Sequence, residues 1–184
     1  DNVDALEKER ARIESKDTDY KLTNDGRLSL LGGIDSRIKQ INALQKAEVV
    51  EQQSNDAAYL QMVIDQAKQG LDVNAEQRTK IREIYTRGDE KLKSLSYQAN
   101  LVADIGSSMG NMPVADMNEA LASMQRQYAE ATDPVKKRDA GIALNAAEQI
   151  IGRRREQMIK NPYSLLDSQT KTKTPPIDFT SPNI

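Results

Sequence analysis

The sequence feature that most constrains the fold is a regular spacing of positions, alternately four and three residues apart, in the middle of the chain. The residues with this spacing are Ile81, Tyr85, Gly88, Leu92, Leu95, Ala99 and Val102. Because an α-helix has 3.6 residues per turn, such positions lie on one face of a helix and are typical of the seam of a helical bundle. Asn74 and Gln77, three residues later, form a capping-box pattern. We therefore predict one long helix that begins after Asn74 and contains the whole seam.

The same spacing, and then a broad apolar face, predict two further helices in the second half of the chain. The first begins near Pro113, and its seam consists of Val114, Met117, Leu121, Met124, Tyr128 and Ala131. The second begins at Pro134 and ends before Asn161-Pro162, and its apolar face consists of Val135, Ile142, Leu144, Ala147, Ile150, Ile151 and Met158. We interpret the segment from Gly106 to Asn111 as a loop. The helices on either side of this loop are expected to form an antiparallel hairpin.

The first seventy residues predict helices with weaker apolar stripes. A short helix is expected over residues 1 to about 21, and Asn24-Asp25-Gly26 and Gly32-Gly33 predict a break after it. A further helix is expected from Ile34 to Gln69, and if unbroken it is ~50 Å long at 1.5 Å per residue. Its apolar stripe consists of Ile38, Ile41, Val49, Leu60, Val63 and Ala67, with Gln45, Gln52 and Asp56 between them. These polar residues on the stripe indicate a wet or intermolecular face.

The composition favours helices over strands. Apolar residues make up 38% of the chain and aromatic residues only 4%, so a core must consist mainly of aliphatic side chains. The expected fold is all-α: an elongated antiparallel helical bundle with coiled-coil-like hairpins and an extended C-terminal arm. We expect an N-terminal helix and turn at residues 1–26, the bundle at 27–161, and an extended tail rich in Pro, Ser and Thr at 162–184. No apolar run approaches the ~20 residues needed to cross a bilayer. The start at Asp1, in place of Met, favours a segment of a longer protein.

The residue types present argue against several catalytic chemistries. The chain contains neither His nor Cys, which excludes thiolate catalysis and Cys-based metal sites. Gly106-Ser107-Ser108-Met109-Gly110 matches the nucleophile-elbow pattern, but predicted helices flank it and no His is available as the base, so we interpret it as a linker. The acidic residues from Asp17 to Asp25 lack the spacing of a calcium-binding loop. We expect no enzymatic activity and no cofactor. The alternative is a helical hydrolase that uses carboxylates alone, and it requires a buried acidic pair in a pocket.

A cluster of basic residues near the end of the last predicted helix is a candidate contact site. It consists of Arg153, Arg154, Arg155 and Lys160. The net charge of −2 does not indicate a general nucleic-acid binder, but this cluster could contact phosphates or a partner. Successive helix positions point about 100° apart, however, and a solvated helix end favoured by the helix macrodipole explains the same residues.

The predicted tail is a second candidate contact site. Pro175, Pro176 and Phe179 combine an extended backbone with one large aromatic side chain, which suits docking into a groove of a partner. Disorder of the tail, or packing of the tail on its own bundle, is an equally open interpretation.

The stretch from Asp133-Pro134 through Ala146-Ala147, Ile150-Ile151 and Arg153 to Asn161-Pro162-Tyr163 resembles helical segments of the internal virion, or DNA-ejection, proteins of tailed bacteriophages. The resemblance covers roughly the last third of the chain, and its elements are generic signals of helix starts and stops. It implies a mostly helical protein that is packaged in the capsid, delivered into the host envelope and assembled there into a conduit for DNA. Some members of this family carry a transglycosylase domain, but nothing in this chain matches it. The resemblance therefore implies no catalytic residue.

The helix seams and the absence of a catalytic motif together predict a structural role. We expect a non-catalytic assembly segment of a larger virion or envelope-associated complex, which acts through helix–helix contacts with protein partners or with further copies of itself. The expected location is the virion, or the host envelope or periplasm on infection. The alternative is a soluble bacterial helical adaptor or secreted coiled-coil protein that binds a partner through its tail.

Overall fold

A computed structural model of the chain describes residues 2–15 and 23–161, and these residues form six α-helices. The helices are α1 (Val3–Glu14), α2 (Asn24–Ala67), α3 (Ala75–Arg87), α4 (Glu90–Gly110), α5 (Val114–Glu130) and α6 (Pro134–Lys160). No strand occurs in these two ranges, and the predicted all-α class is confirmed. None of the six helices combines the length and the hydropathy that a membrane-spanning helix needs.

The chain divides into two compact units, Asp1–Asn55 and Asp56–Ile184. The boundary between the units falls inside α2 and differs from the boundary that the sequence predicted after residue 26. The turn expected there is the beginning of α2, which starts at Asn24. The predicted tail at residues 162–184 lies outside the described residues.

The first unit contains α1 and the first part of α2. The Asn2 side chain caps α1 by accepting a hydrogen bond of 3.0 Å from the Asp4 N–H. Arg10 Nε in α1 lies 3.1 Å from Asp35 Oδ1 in α2, which ties the two helices together. Among the described residues of this unit, Ile13 and Ile41 are the buried apolar side chains.

The predicted break at Gly32-Gly33 is wrong, because α2 continues through both residues. A Cβ atom added to either glycine would meet no atom within 4 Å, so no close contact requires glycine there. Glycine in an exposed helix interior costs only about 1 kcal/mol relative to Ala, which the rest of a long helix can offset. The turn signal at residues 24–26 belongs to the helix start, where Thr23 Oγ1 accepts a hydrogen bond of 3.2 Å from the Gly26 N–H.

The second unit has one aliphatic core to which the second part of α2 and helices α3 to α6 all contribute. Its fully buried large side chains include Leu60, Val63, Ile64, Ile81, Ile84, Val102, Met109 and Met117. The predicted seam residues Leu92 and Ile151 are buried, and Leu121 packs against the core. The expectation that the amphipathic helices cover one another's apolar faces is thus confirmed for this unit.

The most extensive contacts among helices α3 to α6 are those of α3 with α4, α4 with α6, and α5 with α6. The prediction that α4 and α5 pack on each other as a hairpin is wrong. Each of these helices packs instead against α6. The physical reason is the breadth of the apolar face of α6, where Ala146-Ala147 and Ile150-Ile151 are all buried. A face with two adjacent buried positions per turn can contact two helices at once.

The predicted single helix from Asn74 to beyond Val102 is interrupted at Gly88. Helix α3 ends at Arg87, and Asp89 caps α4 by accepting a hydrogen bond of 2.9 Å from the Leu92 N–H. A Cβ atom at Gly88 would lie 2.7 Å from Ile84 O, so the corner between the helices is too tight for a side chain. Because α3 packs as a separate helix, Ile84 is fully buried, whereas the predicted seam residue Tyr85 is exposed.

The segment from Gly106 to Gly110, predicted as a loop, is the last part of α4. Both glycines lie against the backbone at the end of α2. A Cβ atom at Gly106 would come within 2.6 Å of Ala67 O, and one at Gly110 within 2.5 Å of Gly70 O. These glycines therefore permit close contact of backbones and do not end a helix, a distinction that composition alone does not reveal.

Candidate interaction surfaces

The middle of α2 contains a long run of exposed residues. Residues 42–52, about three turns, are all exposed. Three aliphatic side chains in this stretch are more than half exposed: Leu44 at 65%, and Val49 and Val50 at 56% each. An isolated helix of this length is marginally stable in water, because most helical stability in proteins comes from the packing of an apolar face. We name residues 42–52 the bare segment, and it is the strongest candidate for contact with another protein.

The bare segment interrupts the apolar stripe that the sequence predicted for α2. Ile41 before it is buried, as are Leu60, Val63 and Ala67 after it, whereas the predicted stripe residue Val49 is exposed. Gln45 and Gln52 are exposed as well, which agrees with the predicted wet or intermolecular face. The exposed residues Leu44 and Val50 were missed, because they lie off the predicted stripe and only their solvent exposure in the structure distinguishes them.

Asp56, the third polar residue of that stripe, is not on a wet face. Its side chain is 4% exposed and accepts two hydrogen bonds from Arg87, at 2.8 Å from Nη2 and 3.2 Å from Nε. The expectation for Asp56 is therefore corrected. A carboxylate can be buried when a guanidinium binds both of its oxygens, and a sequence pattern does not show a partner 31 residues away.

The basic residues predicted as a contact site are dispersed around the end of α6. Arg153 and Lys160 are exposed. Arg154 Nη2 lies 3.5 Å from the carbonyl oxygen of Met112, and Arg155 Nη2 donates a hydrogen bond of 2.9 Å to Asn118 Oδ1. Two of the three arginines thus contact the segment around the start of α5. A contact with phosphates through this cluster stays a prediction, and the geometry gives Arg154 and Arg155 a role in packing.

The predicted docking residues of the tail, Pro175, Pro176 and Phe179, lie outside the described residues, so that interpretation stays a prediction. A groove of about 500 Å³ is present in the second unit and was not foreseen. It is lined by Leu101, Gln127, Glu130, Ala131, Lys136, Asp139, Ala140 and Ala143. No sequence motif indicates this groove, because its residues come from three helices and are mostly small or polar.

Tyr97 is hydrogen-bonded to Asp139 beside this groove. Its hydroxyl donates to Asp139 Oδ2 at 2.7 Å, and this hydrogen bond, followed by desolvation, raises the pKa of Tyr97 above its usual value. The Arg138 guanidinium stacks 5.8 Å from the centre of the same ring. Burial, and then the charge of Glu76, likewise raises the pKa of Tyr59. Tyr97 is therefore a neutral donor to Asp139 at ordinary pH.

The motif that resembles a nucleophile elbow has a different geometry in the structure. Ser108 is exposed on the helix α4, and neighbouring Ser107 donates a hydrogen bond to Asp72. Within residues 2–15 and 23–161, no group of three or more acidic side chains is arranged to hold a metal ion. In the same part of the chain Asp56 is the buried carboxylate, and it forms an ion pair with Arg87 instead of an acidic pair.

Comparison of the chain with models of known protein families, with characterised proteins and with solved structures finds no match. The structure itself defines an all-helical protein. Its most distinctive surface is the bare segment of α2, with exposed aliphatic side chains.

Proposed function

We propose that this protein is a structural component that assembles with protein partners through helix–helix contacts. The observation that carries the proposal is the bare segment, in which every residue is exposed, including the aliphatic side chains of Leu44, Val49 and Val50. A partner helix that covers Val50 and part of Leu44 would bury apolar surface worth about 25 cal/mol per Å². It would also stabilise a stretch of helix that is otherwise marginal.

The remainder of the molecule supports a scaffold role. The second unit has a continuous aliphatic core, and the buried carboxylate Asp56 is neutralised by Arg87. Such an arrangement holds the end of α2 firmly within the second unit.

We expect the double variant Leu44→Lys, Val50→Lys to abolish assembly without unfolding the protein. Both side chains are exposed, so their replacement removes contacts with partners and few contacts within the chain. Light scattering coupled to size exclusion measures the mass: the unchanged protein should form a defined oligomer, and the variant should be a monomer with the same helical circular dichroism.

Leu71→Lys is the matched control for this experiment. Leu71 is 53% exposed and lies outside the bare segment, so the oligomer should persist in that variant. A protein that is monomeric at every concentration would contradict the proposal and favour the alternative of an adaptor that binds through its tail.

We propose further that the assembly belongs to a virion or an envelope-associated complex of the DNA-ejection type. This proposal is supported by the resemblance of residues 133–163 to internal virion proteins of tailed bacteriophages and by the helical fold. Mass spectrometry of gradient-purified phage particles tests it: peptides of this chain should be present in the particles at several copies each. Their absence from intact particles would count against a virion role.

A further inference from the structure

We infer that the bare segment pairs with the same segment of a second copy of the chain, in parallel and in register. This inference rests on the proposed assembly function and names its partner. The pairing face consists of Gln40, Ala43, Ala47, Val50 and Ser54, which are spaced alternately three and four residues apart and are all exposed. In heptad notation, the a positions are occupied by Gln40, Ala47 and Ser54, and the d positions by Ala43 and Val50.

This face is opposite to the side of α2 that its own unit uses. At 100° per residue, Ala47 and Val50 lie about 120–180° around the helix from Ile41, which is buried. The first unit therefore leaves the pairing face open to a second helix. Leu44 lies at the edge of the pairing face, in an e position, and a second helix would cover part of its exposed surface.

The charges beside the pairing face favour a second copy in parallel orientation. Lys46 is in a g position and Glu51 is in the following e position. In a parallel, in-register pair the g residue of one helix lies next to the following e residue of the other. Two equivalent contacts therefore form, each between Lys46 of one copy and Glu51 of the other. An antiparallel pair centred on residue 45 would instead bring Lys46 next to Lys46 of the second copy, which is unfavourable.

The residues of the pairing face also indicate how tight the pair is. Ala43 and Ala47 allow the two helix backbones to approach closely, but they bury little apolar area, and Val50 is the largest aliphatic residue in an a or d position. Gln40 would meet its own copy at an a position, where a polar residue fixes register at a cost in stability. We therefore expect a concentration-dependent association that is weaker than that of a leucine-rich coiled coil.

Single-cysteine variants test the inference directly, because the natural chain contains no cysteine. In a parallel pair, d positions of the two helices are adjacent, so Val50→Cys should form an intermolecular disulfide under mild oxidation. Leu71→Cys measures random collisions, and Leu44→Cys tests an antiparallel pair. We expect Val50→Cys to cross-link about tenfold faster than either of the other two variants.

A charge swap checks that the lysine–glutamate contact determines the pairing. In the Val50→Cys background, Glu51→Lys should slow cross-linking about fivefold, and the addition of Lys46→Glu should restore the original rate. Cross-linking of Val50→Cys no faster than Leu71→Cys, or slower than Leu44→Cys, would overturn the inference. If light scattering still shows an oligomer in that case, the assembly function stands and only the pairing is wrong; a monomer would remove both.

Discussion

Replacement of Gly106 by Ala should lower the free energy of unfolding of the second unit by about 2 kcal/mol. The added Cβ would lie 2.6 Å from Ala67 O, which is backbone and cannot rotate away. Helices α2 and α4 must separate to relieve the clash, and they lose packing around Val63 and Val102. This loss exceeds the gain of about 1 kcal/mol that Ala normally brings over Gly in a helix interior. The midpoint and slope of urea-induced unfolding measure the difference.

Gly152→Ala is the matched control for this substitution. Gly152 also lies inside a helix, but a Cβ atom there meets no atom within 4 Å. This variant should therefore gain up to about 1 kcal/mol of stability from helix propensity alone. A Gly106→Ala protein that is as stable as Gly152→Ala would show that α2 and α4 do not approach as closely as the structure describes.

Removal of the Arg87 side chain should cost the second unit about 3 kcal/mol, because it removes the guanidinium that binds both oxygens of the buried Asp56 carboxylate. Asp56 is 4% exposed, whereas the Arg87 side chain is 50% exposed. The penalty is therefore unequal: in Asp56→Ala the remaining guanidinium can be hydrated, and the loss should be smaller than in Arg87→Ala. Urea unfolding of both single variants and of the double variant isolates the energy of the pair.

Arg12→Ala provides the comparison with an exposed ion pair. Arg12 lies 3.3 Å from Glu9, and both side chains are about half exposed, so the loss should stay below about 0.5 kcal/mol. A loss of similar size in Arg87→Ala would mean that the carboxylate of Asp56 is accessible to water. In that case the stability lost in the Asp56→Ala, Arg87→Ala double variant should also equal the sum of the losses in the two single variants.

The periodicity of the sequence predicted the helices but not all of their ends. Leu92, Ile150 and Ile151 are buried as their spacing indicates, because the position of a residue around a helix follows from its number alone. The errors fall at glycines. Gly32 and Gly33 are exposed inside a helix, Gly88 forms a corner, and Gly106 lies against another backbone. One residue type occurs in three different local environments, and which of them applies depends on what packs nearby.

The candidate surface could be predicted only in part. Glutamines on the stripe of α2 predicted a wet or intermolecular face, and Gln45 is indeed exposed. The same reasoning misplaced Asp56, which is buried, and it missed Leu44 and Val50. The reason is that the exposure of a helix position depends on whether another helix covers it, and the sequence of one helix carries no record of its neighbours.

The sequence alone determined that this protein is helical, where its main amphipathic faces lie, and which chemistries its lack of His and Cys excludes, because these properties are local or depend on residue type. Only the tertiary structure decided that α6 contacts both α4 and α5, that Arg87 neutralises Asp56, and that the middle of α2 is left uncovered. These features depend on contacts between residues far apart in the chain, where packing of backbones and side chains selects one arrangement among several that the same periodicity would allow.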